Sequence, residues 1–178
     1  MTWDALYETA ASQDGLFTTA QAAEAGYSSQ ALQRHVSGSG KIHRVLRGVY
    51  RLTHYPPGDH EQLIAFWLWS NRVGVFSHET ALQLHGLSDA LPSVATLTVP
   101  EAWRQRRLRV PEGLRLNQRD LVATEKTWIG AVAVTTRFRT LVDCINDHVA
   151  PELIDQALEQ AEGRIPPEQL AQLRAMRP

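Results

Sequence analysis

The chain has 178 residues, of which 43% are hydrophobic and 21% are charged. This composition is typical of one folded domain or two small ones, and it excludes a disordered chain. The longest apolar run, Leu63 to Trp69, has seven residues, far fewer than the roughly 20 of a membrane-spanning helix. The N-terminus lacks the basic start and apolar stretch of a signal peptide, and the single cysteine, Cys144, excludes an internal disulfide and a thiolate zinc site. We therefore expect a cytoplasmic protein.

The net charge is −1, but the charges are unevenly distributed along the chain. Residues 28–52 contain five basic and no acidic side chains, and residues 101–119 contain six arginines and two glutamates. From Asp143 to the end there are seven acids and three arginines. Two basic zones and an acidic tail predict a protein with one face for a polyanion.

The first 52 residues predict three short helices followed by a β-hairpin. Apolar residues at helical spacing, with threonine or serine caps before the second and third helices, place the helices at residues 3–12, 20–25 and about 28–36. Branched and aromatic residues on both sides of Arg47-Gly48 predict two strands joined by a tight turn. This order is that of a winged helix-turn-helix, in which Gly26-Tyr27 forms the sharp turn and the hairpin forms the wing.

In this interpretation the third helix is the recognition helix, and its first turn enters the major groove of double-stranded DNA. The residues that it offers are Ser28, Ser29, Gln30, Gln33 and Arg34. The wing residues, suited to phosphates or to the adjacent minor groove, are Lys41, His43, Arg44, Arg47 and Arg51. Short helices with a hairpin also occur in interaction modules that never contact DNA. The absence of acidic residues from this segment favours DNA.

The breaker cluster Pro56-Pro57-Gly58 predicts a domain boundary, with a DNA-binding domain at residues 1–56 and a mixed α/β domain at residues 58–178. In the second domain we expect a weak capping box that begins at Ser77. Expected helices span residues 60–70, 77–86, 137–147, 151–161 and 166–176, and expected strands span residues 95–99, 113–117 and 131–135. The predicted fold class is α+β, a winged helix-turn-helix followed by a mixed domain with a helical C-terminal tail.

Six stretches of the sequence together carry a resemblance to a known family. They are residues 15–22, Ala25-Gly-Tyr27, residues 46–52, residues 77–87, residues 97–100 and residues 134–143. In this order they resemble AbiEi-type antitoxins of type IV toxin–antitoxin systems. The stretches in the first domain are similar to the winged helix of that family, and the resemblance as a whole spans about residues 3–147.

The resemblance implies a repressor of its own promoter that is paired with a nucleotidyltransferase-like toxin. It assigns DNA binding to residues 28–35 and 41–51, and opposition to the toxin to the second domain, with direct contact between the two proteins left open. We expect the operator to be an inverted repeat, because one such module reads too few base pairs for useful specificity in a genome.

The sequence contains no catalytic constellation, so we expect no enzyme activity, no cofactor and no metal. His78 and His85 are seven residues apart and could share a helix face, but capping and core roles are the simpler interpretation. Asp143 and Asp147 are typical of a solvated helix face. Cys144 between apolar neighbours indicates a buried small hydrophobe.

The arginine-rich segment that begins at Trp103 is a candidate second basic patch, made of Arg104, Arg106, Arg107 and Arg109. It could extend the DNA footprint, meet an acidic partner or the RNA substrate surface of a toxin, or protect an exposed strand edge by charge.

Two alternative functions remain at this point. One is a stand-alone winged-helix regulator whose second domain senses a ligand, and the other is a degenerate nuclease-related protein. A neighbouring nucleotidyltransferase gene would favour the antitoxin, and metal-dependent cleavage of nucleic acid would favour the nuclease.

Overall fold

The structure is a computed structural model that describes residues 3–177. The chain divides into two compact units, residues 1–72 and residues 73–178. None of the helices within the described range is long and apolar enough to cross a membrane.

The first unit has the element order of a winged helix-turn-helix, followed by one further helix. Its elements are α1 (Trp3–Ala11), β1 (Leu16–Thr18), α2 (Thr19–Glu24), α3 (Ser29–Ser37), β2 (Ile42–Leu46), β3 (Val49–Leu52) and α4 (Glu61–Trp69). The three strands form an antiparallel sheet in the order β1-β3-β2. The three helices and the hairpin of the sequence prediction are confirmed. The sequence did not reveal β1, because three residues are too few to show a strand period.

The core of the first unit lies between α1, α3 and the sheet. Leu6, Phe17, Leu32 and Ile42 are at most 2% exposed. Each comes from a different element, so these four side chains hold the helix-turn-helix on its sheet.

Helix α4 belongs to the first unit, whereas the sequence prediction placed it after the domain boundary. Its residues from Ile64 to Leu68 are all buried, and it packs on all three strands of the sheet. A helix that is apolar on every side must be covered on every side. Pro56-Pro57-Gly58 therefore forms a loop within the first unit, and the division falls between Arg72 and Val73.

The second unit is a mixed sheet with helices. Its elements are β4 (Val75–Phe76), α5 (His78–His85), β5 (Ala95–Val99), β6 (Leu114–Gln118), β7 (Lys126–Ile129), β8 (Val132–Thr135), α6 (Arg137–Asn146), α7 (Pro151–Gln160) and α8 (Pro167–Met176). Single 3-10 turns span Glu101–Gln105 and Ala123–Glu125. The strand order is β6-β5-β4-β8-β7. Strand β5 is parallel to β6 and β4 to β8, while β4–β5 and β7–β8 are antiparallel.

This architecture confirms the α+β fold class. All five predicted helices and three predicted strands occur within a few residues of their expected bounds. Two strands were not predicted: β4, which has two residues, and β7, which pairs with β8 across Gly130.

The helices of the second unit enclose a core to which α5, α6, α7 and α8 all contribute, with Leu82, Leu141, Ala157 and Leu173 completely buried. Cys144 lies in the same core with no exposed surface, and burial raises the pKa of its thiol far above the ordinary value. The interpretation of Cys144 as a buried small hydrophobe is confirmed.

The predicted capping box at the start of α5 is wrong. Ser77 does precede the helix, but its side chain makes no capping hydrogen bond. The Oγ atom of Ser77 instead lies 2.7 Å from Thr98 Oγ1 on β5 and 2.9 Å from His78 Nδ1. Because Ser77 is fully buried, its hydroxyl needs a hydrogen-bond partner, and Thr98 on the sheet provides one.

Candidate nucleic-acid interface

Helix α2 is anchored at its first turn by a reciprocal capping box. The Thr18 hydroxyl accepts a hydrogen bond from the Gln21 backbone N–H at 3.2 Å, and Gln21 Oε1 accepts from the Thr18 backbone N–H at 2.9 Å. The buried Gln21 amide also exchanges hydrogen bonds with the amide of Gln13, near the end of α1. These contacts fix α2 relative to α1.

The turn between α2 and α3 has the predicted form. Gly26 has a φ of 88°, a conformation that favours glycine, and the Tyr27 backbone N–H donates to the Ala22 carbonyl at 2.8 Å. The Tyr27 side chain is buried in the core of the unit. The turn therefore sets the angle at which α3 leaves α2.

Helix α3 presents a polar face to solvent. Ala31 and Leu32 are buried, whereas Ser29, Gln30, Gln33 and Arg34 are exposed. The Ser28 hydroxyl caps the helix by accepting from the Ala31 backbone N–H at 3.2 Å. The hydroxyl of Ser28 thus has a structural task, and the four exposed side chains remain available for base contacts.

His35, at the end of the segment that the resemblance assigned to DNA, is only half-exposed. Its ring lies 6.0 Å from the ring of Trp3 and 5.7 Å from the ring of Tyr27, between centroids. It packs the end of α3 onto the rest of the unit.

The wing is the β2–β3 hairpin, and its turn is attached to α2. Gly48 has a φ of 79°, and its carbonyl accepts from the Thr19 backbone N–H at 3.0 Å. The wing residues Lys41, His43, Arg44 and Arg47 are all exposed. Within residues 3–177, no carboxylate forms an ion pair with any of these side chains or with Arg34. The positive charge of the lysine and the arginines is therefore not neutralised by a carboxylate within the unit.

Arg51 differs from the other predicted wing residues, because it is only 6% exposed. Its guanidinium donates to the carbonyls of Leu52 and Tyr55, at 3.1 and 2.8 Å, and pairs through Nε with Glu61 at 3.0 Å. Arg51 joins the sheet to the start of α4 and is not presented to a nucleic acid. We remove it from the predicted interface.

The first unit is similar in sequence to a known protein family. Residues 4–53, from α1 to just beyond the wing, match a family described as "Transcriptional regulator, AbiEi antitoxin". Over these residues the chain is similar to AbiEi antitoxins. The match confirms the resemblance for the helix-turn-helix and the wing, and the corresponding similarity of the second unit stays a prediction because the match ends at residue 53.

Among solved structures, the chain is similar to the crystal structure of the RV2827C protein from Mycobacterium tuberculosis. The TM-score is 0.53 with 15% sequence identity, and the similarity covers 97% of this chain and 70% of the other. At this identity the likeness shows the fold alone. No curated protein sequence matches the chain.

The arginine-rich segment of the second unit is a loop between β5 and β6. Arg104 pairs with Glu101 at 3.1 Å and donates to the Gln118 carbonyl, while the Arg106 guanidinium lies 4.5 Å from the Trp103 ring centroid. Arg107 and Arg109 are exposed, and in the described part of the chain they form no ion pair. The segment is not itself a strand edge, so it does not have the edge-protecting role that we considered. Arg107 and Arg109 remain available to an outside partner.

A hydrogen-bonded Ser77–His78–Asp147 chain in the second unit was not predicted from the sequence. His78 Nε2 lies 2.6 Å from Asp147 Oδ2, and its other ring nitrogen contacts Ser77. The Ser77 hydroxyl has no exposed surface and also bonds to Thr98, so it cannot reach a substrate. This series of hydrogen bonds links α5 to the end of α6. His78 and the buried His85 therefore both fit the structural roles that we expected of them.

Asp143, which we expected on a solvated helix face, is 1% exposed. Its carboxylate pairs with Arg119 at 2.5 Å and with Arg139 on the same helix. Burial raises the pKa of Asp143 to about 6, while the charges of His78 and Arg119 oppose the rise. The expectation failed because Arg119, which directly follows β6, pairs with this carboxylate, and no local pattern reveals a contact between residues so far apart in the sequence.

Within residues 3–177, no group of three histidine, cysteine or acidic side chains is arranged to hold a metal ion.

Proposed function

We propose that this protein is the antitoxin of a type IV toxin–antitoxin system and represses its own promoter. The observation that carries the DNA-binding part is the set of unpaired cations on α3 and the wing, next to a capped helix with exposed glutamines. The family match supports the regulatory and antitoxin roles.

The helix enters the major groove by its N-terminal half in this proposal. The first turn of α3 contains no acidic residue, and its backbone N–H groups and helix dipole favour a phosphate at the groove edge. Gln30 and Gln33 can form bidentate hydrogen bonds with adenine, and Arg34 can do so with guanine. Sequence preference comes from these side chains.

The wing holds the DNA backbone. Lys41, Arg44 and Arg47 are cationic side chains, and each phosphate that they neutralise releases counterions. Because these contacts do not depend on the base sequence, they supply affinity and orientation and leave specificity to α3.

Two copies of the protein on an inverted repeat would double the number of base pairs that are read. DNase I footprinting of the region upstream of the gene tests this at physiological salt. We expect two protected half-sites, related by a two-fold axis. Absence of a protected repeat would contradict autorepression.

The second unit carries the opposition to a nucleotidyltransferase-like toxin in this proposal. Co-expression with the adjacent nucleotidyltransferase gene tests it by growth, and we expect rescue by the full-length protein. Growth arrest that persists despite confirmed expression of both proteins would contradict the antitoxin role and would favour a stand-alone regulator. A pull-down from the same cells then tells whether rescue involves direct contact.

A further inference from the structure

Strand β6 forms one edge of the five-stranded sheet, where its neighbour is β5. Just outside its two ends, the Gly113 carbonyl accepts from the Ala95 N–H at 2.8 Å, and the Arg119 N–H donates to the Val99 carbonyl at 3.0 Å. Successive residues of a strand direct their backbone groups to opposite sides. The odd-numbered residues from 113 to 119 therefore face β5, and the even-numbered residues from 114 to 118 face away from the sheet.

The outward-facing backbone of β6 is paired only near its ends. The Leu114 N–H donates to the Pro111 carbonyl at 3.2 Å, and the Gln118 carbonyl accepts from the Arg104 guanidinium at 3.1 Å. Within residues 3–177, no hydrogen bond reaches the N–H or the carbonyl of Leu116, or the N–H of Gln118. A strand edge of this kind can pair with another extended chain.

The chain around this edge carries an excess of positive charge. Residues 101–119 contain six arginines and two glutamates. Arg104, Arg115 and Arg119 have carboxylate partners. Arg107 and Arg109 are exposed, form no ion pair in the described part of the chain, and lie in the loop that leads into β6. A partner at this edge should therefore be acidic.

The open edge and the arginines together favour one class of partner. A second copy that paired through its own β6 would bring two identical sets of arginines together, and like charges repel. A nucleic acid would satisfy the arginines, but its phosphates only accept hydrogen bonds and would leave the Leu116 carbonyl unpaired. An extended acidic peptide offers donors and acceptors for the backbone and carboxylates for the arginines.

We propose that the open edge of β6 binds an extended acidic segment of another protein, which joins the sheet as an additional strand. The backbone of that segment pairs with Leu116 and Gln118, and its carboxylates lie against Arg107 and Arg109. The main-chain hydrogen bonds supply affinity, and the charges select the acidic sequence. The proposal concerns only the second unit and does not depend on the DNA-binding role of the first.

Fluorescence anisotropy of the full chain with a labelled peptide of alternating glutamate and valine tests the proposal. Two control peptides separate charge from strand pairing: one has lysine in place of glutamate, and the other is N-methylated at every second residue and so lacks those donors. We expect the acidic peptide to bind at least tenfold more tightly than either control. A single-stranded oligonucleotide of equal charge should displace it at least tenfold less effectively than the unlabelled peptide.

A matched pair of charge reversals locates the binding surface. Arg107→Glu should weaken the acidic peptide at least fivefold. Arg137→Glu should change its affinity less than twofold, although Arg137 is also exposed and without an ion pair in the described range. Arg137 lines a cavity together with Thr127 of β7, which is the opposite edge of the sheet. Circular dichroism shows whether both variants are folded.

Amide hydrogen exchange measured by NMR tests the strand pairing itself. In the free protein the N–H groups of Leu116 and Gln118 should exchange faster than that of Asn117, which faces β5. Saturating acidic peptide should slow exchange at Leu116 and Gln118 at least tenfold. The proposal is overturned if the acidic peptide does not bind, if a control peptide or the oligonucleotide performs equally well, if both arginine variants lose affinity equally, or if exchange at Leu116 is unchanged.

Discussion

Arg47 and Arg51 lie four residues apart on the wing, but their surroundings give them different tasks. Arg47 is exposed at the turn, whereas Arg51 is buried and bonded to Glu61 and two carbonyls. Arg47→Ala should weaken DNA binding equally for all sequences. It should reduce the slope of the log binding constant against log salt concentration by about one, with a change in unfolding free energy below about 0.5 kcal/mol.

Arg51→Ala should cost about 2 kcal/mol of stability, since it leaves buried acceptors unpaired. Binding isotherms across salt concentrations and urea denaturation measure the two effects. A stable Arg51→Ala protein with a reduced salt slope would reverse the assignment.

Gln33 is exposed on α3 and has an amide that can pair with a base edge. Gln33→Ala should cost about 1–3 kcal/mol of binding free energy on the operator and relax the preference at one base position. Binding selection from randomised operators measures that preference, with Arg47→Ala as the control that lowers affinity and keeps the preference. An unchanged preference in Gln33→Ala would exclude this side chain from base contact.

Asp143 makes the stability of the second unit depend on pH. Its folded-state pKa of about 6 lies above the ordinary 3.8, so the folded state binds the proton first as the pH falls. Stability should therefore rise as pH is lowered from 7 to 5, by about 1.4 kcal/mol from this group. Urea denaturation of the wild type and Asp143→Asn at both pH values isolates the contribution, and Asp89→Asn, which removes an exposed carboxylate, should keep the wild-type slope. An equal pH slope in the wild type and Asp143→Asn would contradict the raised pKa.

At the scale of elements, the wing depends on the backbone of its turn. A Cβ atom at Gly48 would meet only Thr19 Oγ1, at 3.9 Å, but the φ of 79° disfavours any L side chain. Gly48→Ala should thus destabilise the first unit by about 1 kcal/mol through backbone strain and not through a clash. Gly48→Asn should cost less, because asparagine tolerates this conformation. Thermal or urea unfolding compares the three proteins, and equal losses for alanine and asparagine would point to a different cause.

The helix-turn-helix could be predicted from the sequence because its signals are local. Thr18 and Ser28 cap the helices that follow them, and Gly26 lies at the turn between them. Such signals act within four residues, so they hold wherever the segment is placed. Strands β1, β4 and β7 were not predicted, because a short strand is stabilised mainly by its neighbours in the sheet and its own sequence carries little signal.

At the scale of the whole molecule, the two units should separate between Arg72 and Val73. A cut at Pro56 would remove α4, with its apolar side chains from Ile64 to Leu68, from the three-stranded sheet, whereas a cut after Arg72 keeps α4 on the sheet. Residues 1–72 should fold and bind the operator, and residues 73–178 should fold without binding it. Circular dichroism and gel-shift assays measure both properties, with a 1–56 fragment as the comparison that we expect to be less stable.

The same cut separates the two proposed functions. If the second unit opposes the toxin, residues 73–178 should still rescue growth when co-expressed with the neighbouring toxin gene. Loss of rescue in a fragment shown to be folded would mean that repression by the first unit is the whole mechanism.

The sequence by itself determined the helices, the caps of α2 and α3, the sharp turn, the wing and the resemblance to AbiEi antitoxins, because these rest on short-range patterns. Only the tertiary structure decided which polar side chains are covered. It linked Arg51 to the start of α4, and it joined Ser77 and His78 to Asp147. It buried Asp143 beneath two arginines, and it buried His85 Nδ1 without a hydrogen-bond partner among the described residues. The physical reason is that burial depends on the element packed against a residue. That element can lie far away in the sequence, as Asp147 does from His78.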